Sequence, residues 1–363
     1  MGLNWIATRT QEAGHFNAGG LGASPSKQPV GMDLLTRGSV MLETVVRPVA
    51  HPVNLVRFSA LDPWPSGLTI CLEPDGTVRL MIRQGGRHLE TALKTGLGRK
   101  VYTAHIAYIW DAPRRRGRLS VHVPDYGYLW QADVVAPFPL ALRDAQRLVH
   151  TSSTCTLDPD VVFLAVADAP CPLGPLPGLS GDAAIDTPDG PRPIKDIAPG
   201  DWVSAHGRGA VRVLWSGKAT VPSLGRFAPM TIRRPYMGLW DDLTMARDQR
   251  VCLDGSEVEY MFGEERVSTA VRHLEIRNCA VPVKNPPPMT TYHQILLETH
   301  EIITVNGAMV ESFDGSAVLE EPSALATSVL SDIRPDLRPR GIGLAAPVLQ
   351  GYEALTLTGV SIG

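Results

Sequence analysis

The chain has five thiols, and their spacing decides what chemistry they could carry. Cys71, Cys155, Cys171, Cys252 and Cys279 are odd in number, widely separated and never in a C-x-x-C pair. A structural zinc needs closely spaced thiolates or imidazoles, and a small disulfide framework needs an even set, so neither is expected. The thiols read instead as small apolar side chains, most of them buried. Carboxylates are dispersed too. Asp75, Asp111 and Asp125 are scattered rather than clustered as a hard cation requires. No strand shows an E-x-D-x-E pattern, so the two facing acids of a glycosidase are missing. Trp64, Trp110 and Trp130 could stack on sugar rings, but a core or hairpin place is the expectation for each. The run Arg114-Arg115-Arg116, between Asp111-Ala112-Pro113 and Gly117, reads as a solvated hairpin tip.

Composition narrows the class further. The 363 residues are enough for two cores, 44% are apolar and 20% charged, and the net charge is -3. That balance leaves no basic footprint for nucleic acid or an anionic membrane. No run of about 18 apolar residues suggests a membrane span. The first residues lack the apolar stretch of a secretory signal, so the expected setting is the cytoplasm or export by another route. No cofactor motif is present.

The elements that must position any site read as strands. In "TVRLMIRQ" Val78, Leu80 and Ile82 alternate with Thr77, Arg79 and Arg83, between the turn signals Pro74-Asp75-Gly76 and Gly85-Gly86. "YTAHIAYIW" puts Tyr102, Ala104, Ile106, Tyr108 and Trp110 on one face, and "GRLSVHV" turns Leu119, Val121 and Val123 inward. No long amphipathic helix is expected to interrupt them. The 34 glycines and 31 prolines fit many short strands joined by turns. "CPLGPLP", residues 171–177, removes backbone donors at three positions and is the expected linker. Near the end, "SALATSVLSDIRPDLRPRG" allows a short helix capped by Ser323 and stopped before Pro335, and "APVLQGYEALTLTGV" reads as a returning strand or a surface segment.

The strand order of residues 35–170, with "LETVVRP" and "HIAYIWD", resembles a concanavalin A-like or laminin-G-like jelly roll. That resemblance implies a two-sheet sandwich and a glycan or protein partner. From Gly178 the resemblance is more specific. "GLSGDAAIDTPDGPRPIKDIAPGDWVSA" is similar to the first block of the Hedgehog/intein (Hint) fold of the bacterial stand-alone type, through Thr187-Pro188-Asp189-Gly190, Arg192-Pro193-Ile194, Ile197 and Pro199-Gly200-Asp201. "LTMARDQRVCLDGSEVEYMFGEERVSTAVRHL" and "YHQILLETHEIITVNGAMVESFDG" resemble its later blocks. The implied fold class is all-β: a jelly-roll-like sandwich over residues 1–170, the linker 171–177, a Hint-type β domain over 178–315, and an extension over 316–363 with a short helical tail.

The family's reaction is self-cleavage. A thiol or hydroxyl at the first position attacks the preceding carbonyl, and a histidine in the second block protonates the leaving amine. The resemblance puts Gly178 at the nucleophile position, Gln249 at the histidine position, and Ala246 where a Ser or Thr stands. Glycine cannot attack, and a glutamine amide cannot transfer a proton near neutral pH. Substitutes would have to be Ser180, two residues inside the opening strand, or Cys279, read as an exposed loop or strand thiol. Cys252 reads as core, and Cys171 as out of reach. His300 with Glu301 matches the family's late His-Glu pair and is where residual acid–base chemistry or a ligand would sit; the plainer reading is a histidine tying strands together. His293 lies seven residues before it. The expectation is a Hint protein whose autoprocessing is degenerate and whose role is binding or structural. The alternatives are self-cleavage by a non-standard nucleophile, and a carbohydrate-binding lectin-like protein.

Overall fold

The computed structural model describes residues 3–24, 31, 33–150, 153–176, 178–277, 279–339 and 343–359. The chain forms two compact units, Met1–Pro175 and Leu176–Gly363.

In the first unit, alternation in the sequence becomes alternation across two antiparallel sheets. One sheet runs Tyr128–Val135, Arg116–Val123, Tyr102–Asp111, Arg37–Val46, Val161–Ala167, Trp5–Arg9 and Gly14–Phe16 in spatial order. The other runs Cys155–Leu157, Val53–Ala60, Ser66–Leu72, Thr77–Gln84 and Arg87–Lys94. Val78, Leu80, Ala104, Ile106, Tyr108, Trp110, Leu119, Val121 and Val123 bury in the shared core, with Ile82 and Tyr102 packed at its edge. Each fully buried aliphatic side chain contributes about 1.5–3 kcal/mol relative to an exposed one. Arg114 and Arg115 occupy the exposed turn before Arg116, as the turn signals indicate.

One short helix, Leu142–His150, lies between the strands. Its apolar positions Ala145, Leu148 and Val149 fall three and four apart, so one stripe buries in the sandwich core.

The second unit has a sheet ordered Arg266–Ala270, Arg250–Asp254, Ala308–Glu311, Ile302–Val305, Trp202–Ala205, Gly209–Pro222 and Met289–Leu297. The short pair Ala184–Ile185 and Arg192–Pro193 attaches to it through Ile185 and Val305. A smaller sheet joins Leu243–Ala246, Pro229–Ile232 and Ala280–Pro282. Two hairpins are set by local chemistry. Asn306 (φ 50) and Gly307 (φ 96) form the two-residue turn between Val305 and Ala308, the positive-φ pair that matches strand twist. Thr187 and Gly190 exchange backbone hydrogen bonds around Pro188-Asp189, with Gly190 at φ 108.

The C-terminal extension differs from the sequence reading in two details. The helix Pro322–Leu325 is capped by the Glu321 side chain, which accepts from the Ser323 backbone N–H, so Ser323 is not the cap. The last segment pairs with the sheet at the bridge Ser268–Val348, packs Leu349 and Ala354 into the core, and forms the helix Gly351–Gly359. No helix among the described residues is long and apolar enough to cross a membrane.

Candidate functional site

The opening segment of the second unit is held as a strand from both sides. Leu179 and His293 exchange backbone hydrogen bonds of 3.0 and 2.8 Å; on the other side the Ser180 N–H donates to the Thr244 carbonyl at 2.9 Å. The Ala246 N–H donates to the Gly178 carbonyl at 2.9 Å. Leu179 drops into the core, which fixes which way its neighbours face. Gly178 is buried, and a Cβ built on it would lie 2.8 Å from the Tyr292 Cβ and 2.9 Å from the His293 carbonyl oxygen. Neither can retreat easily: His293 is in the backbone ladder, and the buried Tyr292 donates its hydroxyl to the Phe227 carbonyl at 2.8 Å.

Ala246 ends the adjoining strand, and the Gln249 N–H closes a turn onto its carbonyl at 3.0 Å. Within that turn Asp248 takes Arg226 at 2.7 Å and also Arg272. The Gln249 side chain is buried; its amide donates to the Glu311 carbonyl at 2.9 Å and to the Arg250 carbonyl at 3.3 Å. It therefore bridges backbone, a task that needs a donor and no proton exchange.

His300 finds a different carboxylate from the one its sequence neighbour suggests. Glu301 turns to Arg208 and Thr299. The imidazole, 5% exposed, has Nε2 3.4 Å from Glu311 Oε2, and Arg250 Nη1 lies 3.3 Å from the same oxygen. Asp314 lies 3.8 Å from Arg250. Burial alone would push His300 down, but the Glu311 carboxylate, then Asp314, outweigh it and hold the imidazole above its ordinary value. Burial likewise works to raise Glu311; His300 and Arg250 outweigh it and hold the carboxyl below the usual range. Sequence reasoning missed Glu311 and Arg250. The usable signal was the Asn306-Gly307 hairpin, which folds Ala308–Glu311 back along Ile302–Val305.

The remaining candidates disperse. Cys279 is buried, with its Sγ donating to the Leu274 carbonyl at 3.1 Å; this corrects its reading as an exposed thiol. It lies at the base of Ala280–Pro282, whose inner face belongs to the core, and the Arg233 N–H fixes its carbonyl. Cys252 is buried and its thiol is pushed up to about 12, chiefly by burial; Cys171 is buried in the first unit and raised to about 11. Ser180 is half-buried. His293 is half-buried too, and burial, then Lys218 and Lys195, hold it below its ordinary value. All five cysteines are free and buried.

In the first unit Trp110 is buried and donates Nε1 to the Leu35 carbonyl at 2.8 Å, while Trp64 is half-buried. Trp130 belongs to a surface row: its ring lies 5.3 Å from Tyr128, which stacks on Tyr126 at 5.5 Å and 13°. Asp75 caps a turn at the Thr77 N–H, and Asp111 pairs with Arg37 and Arg114. Among the described residues no group of three or more His, Cys, Asp or Glu is placed to hold a metal ion.

The second unit is thus a β domain whose opening residue, second-block turn and late histidine are brought to one sheet system. Residues 177–316 match the family model described as the Hint domain, and this part of the chain is a Hint domain. No curated protein matches the chain in sequence. Among solved structures, the CBM40 module of the Ruminococcus gnavus IT-sialidase, bound to α2,6 sialyllactose, is similar at 11% identity and TM-score 0.26, covering 36% of this chain and 75% of that one. Tailspike protein 2 of an Escherichia coli O157:H7 bacteriophage is similar at 14% identity and TM-score 0.26, covering 37% and 20%. Domains LG4-5 of the mouse laminin α1 chain are similar at 10% identity and TM-score 0.23, covering 85% and 74%.

Proposed function

We propose that the Hint domain has lost self-cleavage and that the protein acts by binding. The observation that carries this reading is the closure around residue 178. Self-cleavage needs a side-chain nucleophile there, and the space a Cβ would take is within 3 Å of Tyr292 Cβ and of the His293 carbonyl. Gln249, at the proton-donor position, spends its amide on the Glu311 and Arg250 carbonyls. Neither group can form an ester or protonate a departing amine. Cys279, the best-placed thiol by sequence, is buried against Leu274. The full chain, incubated with a thiol or hydroxylamine and weighed intact, is expected to stay a single 39.2 kDa species. Two fragments of 177 and 186 residues, parted before Gly178 in the 363-residue chain, would refute the reading.

A second reading, glycan binding by the first unit, is supported by its aromatic row. Tyr126 and Tyr128 are 46% and 47% exposed and stacked on each other, and the Trp130 ring lies beside Tyr128 at 5.3 Å, tilted by 56°. Rings with an apolar face and a polar edge suit sugar C–H faces and hydroxyls together. A glycan array on the full chain tests this: Tyr128→Ala and Trp130→Ala should abolish binding, and an array blank for the parent protein sinks the idea.

A further inference from the structure

The sheet of the Hint domain opens between two strands, and the opening holds polar groups that no other part of the domain uses. Arg250–Asp254 and Ala308–Glu311 pair only through Val251 and Val310. Beyond that pair a cleft of about 620 Å³ is lined from both strands. Small-ligand sites fall at about 300–1,000 Å³. Its lining includes Asp254, Glu257, His206, Thr304, Met237 and Met309. None of the positions assigned to self-cleavage lines it.

The two acids of the cleft differ from the arginine-paired acids of this domain. Asp201, Asp248 and Glu311 each face an arginine within 3.3 Å. Asp254 and Glu257 have no side-chain hydrogen bond or ion pair among the described residues. Arg266, opposite Asp254 in the ladder, is instead drawn to Glu265 at 2.8 Å. A concave site lined by unpaired charge of one sign focuses its field on a ligand of the other. Beside the rim stands Trp240, 55% exposed; a Cβ on the cleft residue Gly307 would meet its Cδ1 at 3.1 Å. An exposed indole is the strongest aromatic partner for a cation. Met237 and Met309 add flexible, polarisable surface that moulds to an aliphatic chain.

We propose that this cleft binds a cationic ligand, an ammonium or guanidinium head on a flexible apolar stem, as presented by Lys or Arg in an extended peptide or by a linear polyamine. Asp254 and Glu257 take the head, Met237 and Met309 take the stem, and Trp240 covers the head at the rim. This gives a ligand class to the binding role proposed above and rests on that reading for its relevance. The two fail separately, since intact mass tests one and titration the other.

The test is a titration of the full chain with a dye-labelled hexapeptide of alternating Lys and Gly, followed by fluorescence anisotropy. Saturable binding is expected, weakened at least tenfold in the Asp254→Asn/Glu257→Gln protein. It should be unchanged in a charge-matched control, Glu12→Gln/Glu320→Gln, two exposed acids elsewhere. Thermal melts of both double variants matching the parent confirm that each is folded. Displacement by spermidine assigns the site to free amines, and retention of the peptide assigns it to extended chains. No binding, equal binding of an Ala-for-Lys peptide, or equal loss in the control pair overturns the proposal.

Discussion

Putting a cysteine at position 178 restores the missing thiol on paper and is the sharpest challenge to the proposed loss of cleavage. The added Cβ meets Tyr292 Cβ at 2.8 Å and the His293 carbonyl oxygen at 2.9 Å, both shorter than packed side chains tolerate. The carbonyl belongs to strand Met289–Leu297, which pairs along its length with Gly209–Pro222, so relief requires moving a ladder and not a rotamer. Overpacking of this kind costs about 1–3 kcal/mol. For a domain of this size each kcal/mol shifts the melting midpoint by about 2–4 °C, so Gly178→Cys should melt roughly 2–12 °C lower. It should also remain one mass after thiol treatment, because Gln249 still offers no proton. The assay is differential scanning calorimetry beside intact-mass measurement. A Gly178→Cys protein that melts with the parent and splits at the new residue refutes the steric argument and the functional reading together.

Four other outcomes follow from the same geometry. Glu311→Ala leaves the buried His300 without its carboxylate while Arg250 keeps Asp314, and breaking a buried pair costs up to about 3–5 kcal/mol; urea unfolding measures it. For His300 the folded value lies above 6.5, so its contribution is full below pH 6.5 and fades as pH rises through the folded value; for Glu311 the folded value lies below 4.5, so its contribution is lost as pH falls through it. The stability gap between the parent and His300→Gln should therefore shrink on the alkaline side, and a gap constant across neutral pH contradicts the pairing. Gln249→Ala leaves the Glu311 carbonyl without its side-chain donor and should cost about 1–3 kcal/mol in chemical denaturation. Finally, the five buried thiols should be silent to a thiol reagent in native buffer and all react in guanidinium.

How much of this was legible in the sequence varies with the distance between partners. Period-two patterns such as Val78-Leu80-Ile82 and Leu119-Val121-Val123 placed their faces correctly, because alternation is a property of the strand itself. The helix Leu142–His150 carried its own signal, apolar residues at 142, 145, 148 and 149, but a nine-residue stripe is short enough to be lost among strands. Glu311 could not be read from adjacency. Consecutive residues face opposite sides of an extended chain, so Glu301 leaves the side His300 occupies and reaches Arg208. The carboxylate that matters arrives from across the hairpin. Cys279 was misjudged for a related reason: its neighbours suggest a loop, and only the pairing of Ala280–Pro282 with Pro229–Ile232 takes it into the core.

The same distinction accounts for how a domain could keep this fold while giving up its reaction, as proposed. The contacts that hold the opening segment are Leu179 to His293, Ser180 to Thr244 and Ala246 to Gly178, all between backbone groups and blind to side-chain chemistry. Replacing a nucleophile by glycine leaves every one of them intact, and it lets Tyr292 and the His293 carbonyl close on the vacated space. Gln249 goes further, since its amide joins the turn after Ala246 to strand Ala308–Glu311. A histidine there would have one ring N–H for the work that two amide hydrogens do, at 2.9 and 3.3 Å. Gln249→His should therefore lower stability without producing cleavage, and a Gln249→His protein more stable than its parent would show that the glutamine is not a structural residue.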